Sequence, residues 1–233
     1  MDKKGPGADH SFRAILKLLL VLLFIVIIGG GARYFINRSS EKKLVELQGL
    51  VSEMESSINV DSIRQYKIQK IIAIIELYNT RMSRHQKYEI AEIIVDVAKN
   101  FHNVSADLIC AMITLETGAT WDPHYVSPYG NMGLMQLLPV TAMFVAERER
   151  INWTSPEQVL LNPVYNIRIG ARYLSALIDV FDVDGGLLAY HEGPRQAALL
   201  KKQVRFSVIS QDSRDYIDNI QKLMQEYQHI PLE

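Results

Sequence analysis

Glu116 is the residue whose setting most suggests chemistry. It closes an apolar helical run, DLICAMITLE. A loop carrying Trp121, Asp122-Pro123, Ser127-Pro128, Gly130 and Gly133 follows it and ends at Gln136, where a new helix begins. A carboxyl group at a helix C-terminus faces the negative end of the helix dipole, and an adjacent aromatic residue and a tight loop shield it from water. Both effects disfavour the ionised form and raise the pKa. A carboxyl raised in this way is what general acid catalysis near neutral pH requires. Asp122 precedes a proline and reads as a turn-capping residue. The six histidines (10, 85, 102, 124, 191 and 229) show no ligand-like clustering, so neither a metal nor any other cofactor is expected.

Four ordered blocks extend the pattern. Glu116, Asp122-Pro123, Ser127-Pro128, Gly130, Gly133-Leu134-Met135-Gln136, Pro139 and Thr141 form the first. SPEQVLLNPVYNIRIGARYL (155–174), AYHEGP (189–194) and SRDYIDNI (213–220) follow. In this order they resemble the catalytic domain of soluble-lytic-transglycosylase (SLT) type, a relative of goose-type lysozyme, over roughly residues 83–227. The resemblance implies an all-α, mainly helical lysozyme-like fold with at most a small hairpin. It also implies cleavage of the MurNAc–GlcNAc β-1,4 bond of peptidoglycan glycan strands. In that family one glutamate, here Glu116, protonates the leaving oxygen. It then draws the proton from the muramoyl 6-hydroxyl, which closes on its own anomeric carbon to leave a 1,6-anhydro end.

By the same resemblance Ser127, Met135, Gln136, Tyr190, Tyr216 and Asp212 fall at cleft or sugar-holding positions, and the Tyr190 hydroxyl is expected to orient the acid. Glycosidases usually employ two carboxyl groups, and no second carboxylate occupies a family-matched position in the central motif. That favours the anhydro-forming reaction over a hydrolytic muramidase, which would need Glu192 or Asp122 as its second group. An inactive glycan-binding anchor is the alternative outside enzymes. The chain also departs from the family pattern. Thr117 stands for serine, two extra residues separate Glu116 from Trp121, Asn131 stands for alanine and Leu138 for methionine. His191-Glu192 replaces Asn-Ala, adding a titratable pair beside Tyr190 that bears on the pH profile.

The elements that must position these residues are legible from periodicity and caps. Ser83 with Gln86 forms a capping box ahead of a face of Ile90, Ile93, Ile94, Val97 and Phe101. Ser105 caps the helix that delivers Glu116. Pro139 suits the first turn of a helix to about Arg148, and Asn162-Pro163 starts a long one facing inward through Ile167, Ala171, Leu174 and Ile178. Gly185-Gly186 is expected to break the chain, and a last helix is expected over about 213–227. The only candidate strands lie between Tyr125 and Met135.

The remainder divides into a polar tail (1–13), a membrane segment (14–36) and a helical stalk (37–82), ahead of the catalytic domain (83–229). LLLVLLFIVII (18–28), with its flanks, is long enough to cross a bilayer if Lys17 and Arg33 snorkel. An uncleaved anchor is favoured because Tyr34-Phe35-Ile36 continues as an interfacial belt. A cleaved signal peptide, with Gly30-x-Ala32 as its small-x-small site, is the competing reading. Basic residues flank both sides equally, so charge alone leaves topology open. The expected location is the bacterial inner membrane, with the catalytic domain on the wall side and with membrane lipid and cell-wall or secretion-complex proteins as partners.

In the stalk, Leu44, Leu47, Val51, Met54 and Ile58 trace one apolar stripe, and a second helix at about 62–78 is rich in isoleucine. Residues 1–40 hold six Lys or Arg against two Asp, a charge of +4. The other 193 residues hold 19 basic and 24 acidic residues, a charge of −5. An acidic globular part argues against nucleic acid as partner. The single cysteine, Cys110, excludes an intrachain disulfide.

Overall fold

The computed structural model describes residues 7–203 and 210–230. Side chains are described from Glu46 onward to Leu199 and again from Ser210, and before Glu46 at Lys17, 19–24, Ile28 and Lys43. Most of the described residues are helical. Eight helices are described: α1 (Gly7–Tyr78), α2 (Arg84–Lys99), α3 (Ala106–Glu116), α4 (Pro139–Arg148), α5 (Pro156–Leu160), α6 (Pro163–Glu192), α7 (Pro194–Gln203) and α8 (Gln211–Gln228). Among the described residues no strand forms. The expected hairpin reduces to two isolated antiparallel bridges, Val126 with Met132 and Met132 with Leu137.

Two compact units divide the chain, Met1–Asp61 and Ser62–Glu233. In the first, α1 exposes the described members of the stalk stripe, Leu47, Val51, Met54 and Ile58; the side chain of Leu44 lies outside the described residues. Most side chains of 14–36 also lie outside them, while Leu19–Phe24 and Ile28 are exposed. Among the described residues no helix is long and apolar enough to cross a membrane.

The second unit is built around α3, whose residues Leu108–Thr114 are all buried. The part of α1 in this unit contributes Ile68, Ile71, Ile74 and Ile75 to the core. Their 3–4 spacing puts them on one face, and each gains roughly 2 kcal/mol over exposure. Ion pairs flank that face: Arg64 with Glu92 and Asp96 at 2.8 and 3.1 Å, Lys70 with Asp107 at 2.9 Å, and the buried Lys87 with Glu76. α2 buries Ile90, Ile94 and Val97, as its periodicity requires. The Ser83, Ser105 and Asn162 side chains each accept a backbone N–H in the first turn of α2, α3 and α6.

α6 is the strut of this unit. Its face Ile167, Ala171, Leu174 and Ile178 is buried, and it packs against α2, α4, α5, α7 and α8. The expected break at Gly185-Gly186 falls earlier, at Asp182 (φ 65°, ψ −174°). There the Asp182 carboxylate accepts the Gly185 N–H at 3.0 Å and caps the helical turn that resumes. The glycines serve packing instead. A Cβ on Gly186 would lie 2.7 Å from the Ile178 side chain and 2.8 Å from its backbone.

Candidate active site

Glu116 sits on the last turn of α3, half-buried. The Tyr216 hydroxyl of α8 donates to its Oε1 at 2.6 Å and lies 3.4 Å from Met112 Sδ, one turn back on α3. Burial is the largest influence on the carboxyl and raises its pKa from 4.5 to about 6. Tyr216's hydrogen bond and then the nearby His191 pull it back down by favouring the ionised form. Burial and the neighbouring Glu116 charge push the Tyr190 and Tyr216 hydroxyls well above their usual range, so both remain donors throughout the neutral region.

The loop after Glu116 is held by short polar contacts rather than by strands. Thr117 Oγ donates to the Ile113 carbonyl (2.7 Å) and accepts the Trp121 N–H (3.0 Å), which folds the chain back on α3. Gly118, Ala119 and Trp121 take positive φ, and the Ala119 N–H returns to the Thr114 carbonyl at 2.7 Å. Trp121 therefore points inward. It is fully buried, its indole N–H donating to Thr114 Oγ at 2.9 Å. Thr114 in turn meets the Tyr227 hydroxyl at 2.7 Å. The expected aromatic wall over the carboxylate is thus a core residue, turned inward by its backbone bond to Thr117 and its indole bond to Thr114.

Asn166, on α6, fixes the second half of the loop. Its side chain is fully buried. It donates to the Met132 and Leu160 carbonyls (both 2.9 Å) and accepts the Met135 N–H (2.7 Å). Gly133 (φ +77°) passes so close that a Cβ would stand 2.2 Å from the Leu160 carbonyl oxygen, so only glycine fits. Met135 is wholly buried against Gly170, where an added Cβ would stand 2.4 Å from its sulfur. Gln136 is also buried, its amide donating to the Gly133 and Tyr125 carbonyls at 2.7 and 3.1 Å. Ser127 Oγ accepts the Asn131 N–H at 3.1 Å. Met135, Gln136 and Ser127 thus build the loop from within.

Tyr216, not Tyr190, takes the part of holding the acid. Tyr190 donates to the Met135 carbonyl (2.7 Å), so it clamps the loop, while Tyr216 holds the carboxyl. His191 stacks on the Tyr216 ring, with centroids 4.2 Å apart and planes at 16°, and its Nε2 lies 3.3 Å from Asp212. Asp212 is otherwise exposed. Neither candidate for a second carboxylate is free of local bonding. Glu192 accepts from Ser210 Oγ at 2.9 Å and from Ser213 Oγ, and Asp122 accepts the His124 N–H at 2.9 Å in an Asx turn.

No motif of its own marks Asn166 or Thr114 in the sequence. The available signal was one polar side chain in each of two apolar helical stripes. A separate cavity of about 440 Å³ lies against Gln86, Glu89, His124, Glu157 and Gln158 and includes none of the residues around Glu116. Among the described residues no group of side chains is arranged to hold a metal ion.

The transglycosylase SLT domain family matches residues 94–212, just over half of the chain. An endo-type membrane-bound lytic murein transglycosylase A of Klebsiella pneumoniae is 36% identical over 129 residues, covering 52% of this chain and 59% of that protein. A soluble lytic murein transglycosylase of Escherichia coli K12 is 37% identical over 87 residues, 36% of this chain and 13% of the relative. The chain therefore spans less than two thirds of the length of either. A lytic transglycosylase from Pseudomonas aeruginosa, solved as an inactive glutamate-to-glutamine mutant, superposes with a TM-score of 0.52 at 27% identity. That superposition covers 63% of this chain and 24% of the solved one.

Proposed function

Because the chain belongs to the transglycosylase SLT domain family, we propose that it is a lytic transglycosylase of peptidoglycan, with Glu116 as both acid and base. The observation that carries this reading is the half-buried Glu116 carboxyl held by the Tyr216 hydroxyl at 2.6 Å, while Glu192 and Asp122 are bonded to Ser210, Ser213 and His124; burial, which raises the carboxyl pKa, agrees with it. Protonated Glu116 donates its proton to the glycosidic oxygen between MurNAc and GlcNAc, and the C–O bond breaks with oxocarbenium character on the muramoyl sugar. The resulting carboxylate then accepts the proton of the 6-hydroxyl as that oxygen bonds to the anomeric carbon. Glu116 ends protonated, no water is consumed, and the released strand carries a 1,6-anhydro end.

A pKa near the working pH suits both halves of this exchange, since the same group must first give a proton and then take one. Tyr216, still protonated, keeps one carboxyl oxygen occupied and leaves the other for the sugar. The muramidase reading lacks this support, because Glu192 and Asp122 are engaged in capping and turn contacts. The polymer is inferred from the relatives, which are named for murein.

The test is clearance of purified peptidoglycan by the full chain and by its Glu116→Gln variant. The amide keeps the shape but neither donates nor accepts the proton, so turnover should fall by at least ~100-fold. Near-wild-type turnover in a folded variant would remove Glu116 from this role.

We also propose that residues 14–36 anchor the protein in the bacterial inner membrane and that the catalytic unit acts on its wall side. The apolar run 18–28 with its aromatic flank supports this, and one similar protein is named membrane-bound. Cell-wall or secretion-complex proteins would be the partners of such an anchored enzyme.

A further inference from the structure

We propose that His191 is a positioning residue for the general acid: its ring seats the ring of Tyr216 so that the Tyr216 hydroxyl meets the Glu116 carboxyl. The inference rests on the reading of Glu116 as the acid, and it concerns residues that depart from the family pattern, where Asn-Ala takes the place of His191-Glu192.

The geometry has three parts. His191, at the end of α6, lies flat on Tyr216, with centroids 4.2 Å apart and planes at 16°, so one face of the tyrosine is defined by another aromatic plane. Its Nε2 reaches Asp212 at 3.3 Å, and Asp212 is four residues before Tyr216 on α8, one turn away on the same side. The imidazole therefore touches α8 at both i and i+4. The next residue, Glu192, accepts from Ser210 Oγ, at the N-cap of α8, and from the buried Ser213. Two consecutive side chains at the end of α6 thus grip the first turns of the helix that carries Tyr216.

The stacked tyrosine projects its hydroxyl to Met112 Sδ (3.4 Å) and Glu116 Oε1 (2.6 Å) on α3. The hydroxyl lies at the far end of a rigid ring, so a small tilt of that ring displaces it from the carboxyl. A residue that fixes the ring plane therefore sets the strength of the donation to Glu116. The titratable groups facing this assembly are Glu116 on α3, Asp212 and Tyr216 on α8, and Tyr190 and Glu192 beside His191 on α6. A protonated His191 would also favour ionised Glu116 through its charge, so the ring's contribution must be separated from the charge.

His191→Ala and His191→Phe make that separation, since both remove the charge and only the phenylalanine keeps a stacking face. The measurement is the titration midpoint of Glu116 by carboxyl carbon NMR in the full chain, the resonance being assigned from its loss in Glu116→Gln. Weaker donation from Tyr216 disfavours the ionised carboxyl. The midpoint in the alanine variant should therefore exceed that in the phenylalanine variant by roughly half a pH unit. In turnover, His191→Ala should lower kcat with KM retained, and His191→Phe should recover it. Coincident midpoints for the two variants would overturn the proposal, as would a raised KM with unchanged kcat, which would make His191 a glycan contact. The titration needs no substrate. A wild type without turnover but with separated midpoints would defeat the lytic-transglycosylase reading while leaving the positioning of Tyr216 in place.

Discussion

Glu116 is held between opposing influences. Burial raises its pKa, while the Tyr216 hydrogen bond and the neighbouring His191 lower it, and the balance rests at about 6 against an ordinary 4.5. A carboxyl whose folded pKa lies above its unfolded one penalises the fold once ionised. The penalty is complete above about pH 6 and disappears below about pH 4.5, where both states are protonated. Glutamine carries no such penalty and can still accept from Tyr216. Glu116→Gln should therefore be more stable than wild type at pH 8 by roughly 1–2 kcal/mol, the gap closing as pH falls from 6 to 4.5. Denaturant melts across that range check it, and a variant less stable at pH 8 would show that the carboxyl is not strained by burial. The raised carboxyl at Glu116 was legible in the sequence because its setting is local, an apolar run ending in one acid before a glycine-bearing loop. The assignment of its partner was not. Whether Tyr190 or Tyr216 reaches the carboxyl depends on how α8 docks on α3, a hundred residues away.

The helices themselves were largely legible, because their caps and stripes are written in neighbouring residues: Ser83, Ser105 and Asn162 cap where expected, and Pro139 begins α4. The loop between α3 and α4 was not, since its order comes from contacts across distance. Trp121 turns into the core to reach Thr114, and Met135 and Gln136 are consumed in holding the loop. Asp182 takes the break that Gly185-Gly186 suggested, because those glycines are needed for close packing against Ile178 and to meet the Asp182 cap. Asn166 is the residue on which the loop depends most. Asn166→Ala would leave the Met135 N–H without its acceptor and take one donor from each of the Met132 and Leu160 carbonyls, although Met132 keeps the Leu137 N–H, and should cost about 2 kcal/mol or more. Thermal or denaturant unfolding measures this, and a loss under about 1 kcal/mol would mean that the loop is held by other contacts.

At the scale of the whole molecule, the two compact units carry different expectations. An anchored chain should remain in membranes through high-salt and carbonate washes, with its N-terminus intact by mass; a soluble species beginning at Arg33 would identify a cleaved signal peptide instead. In the second unit, the proposed reaction uses one carboxylate, and the sugar's own hydroxyl takes the place of water. Mass spectrometry of muropeptides released by the full chain in heavy-oxygen water reads that directly. Intramolecular closure predicts 1,6-anhydro ends with no solvent oxygen incorporated, whereas reducing ends labelled with heavy oxygen would show hydrolysis and contradict the single-carboxylate mechanism.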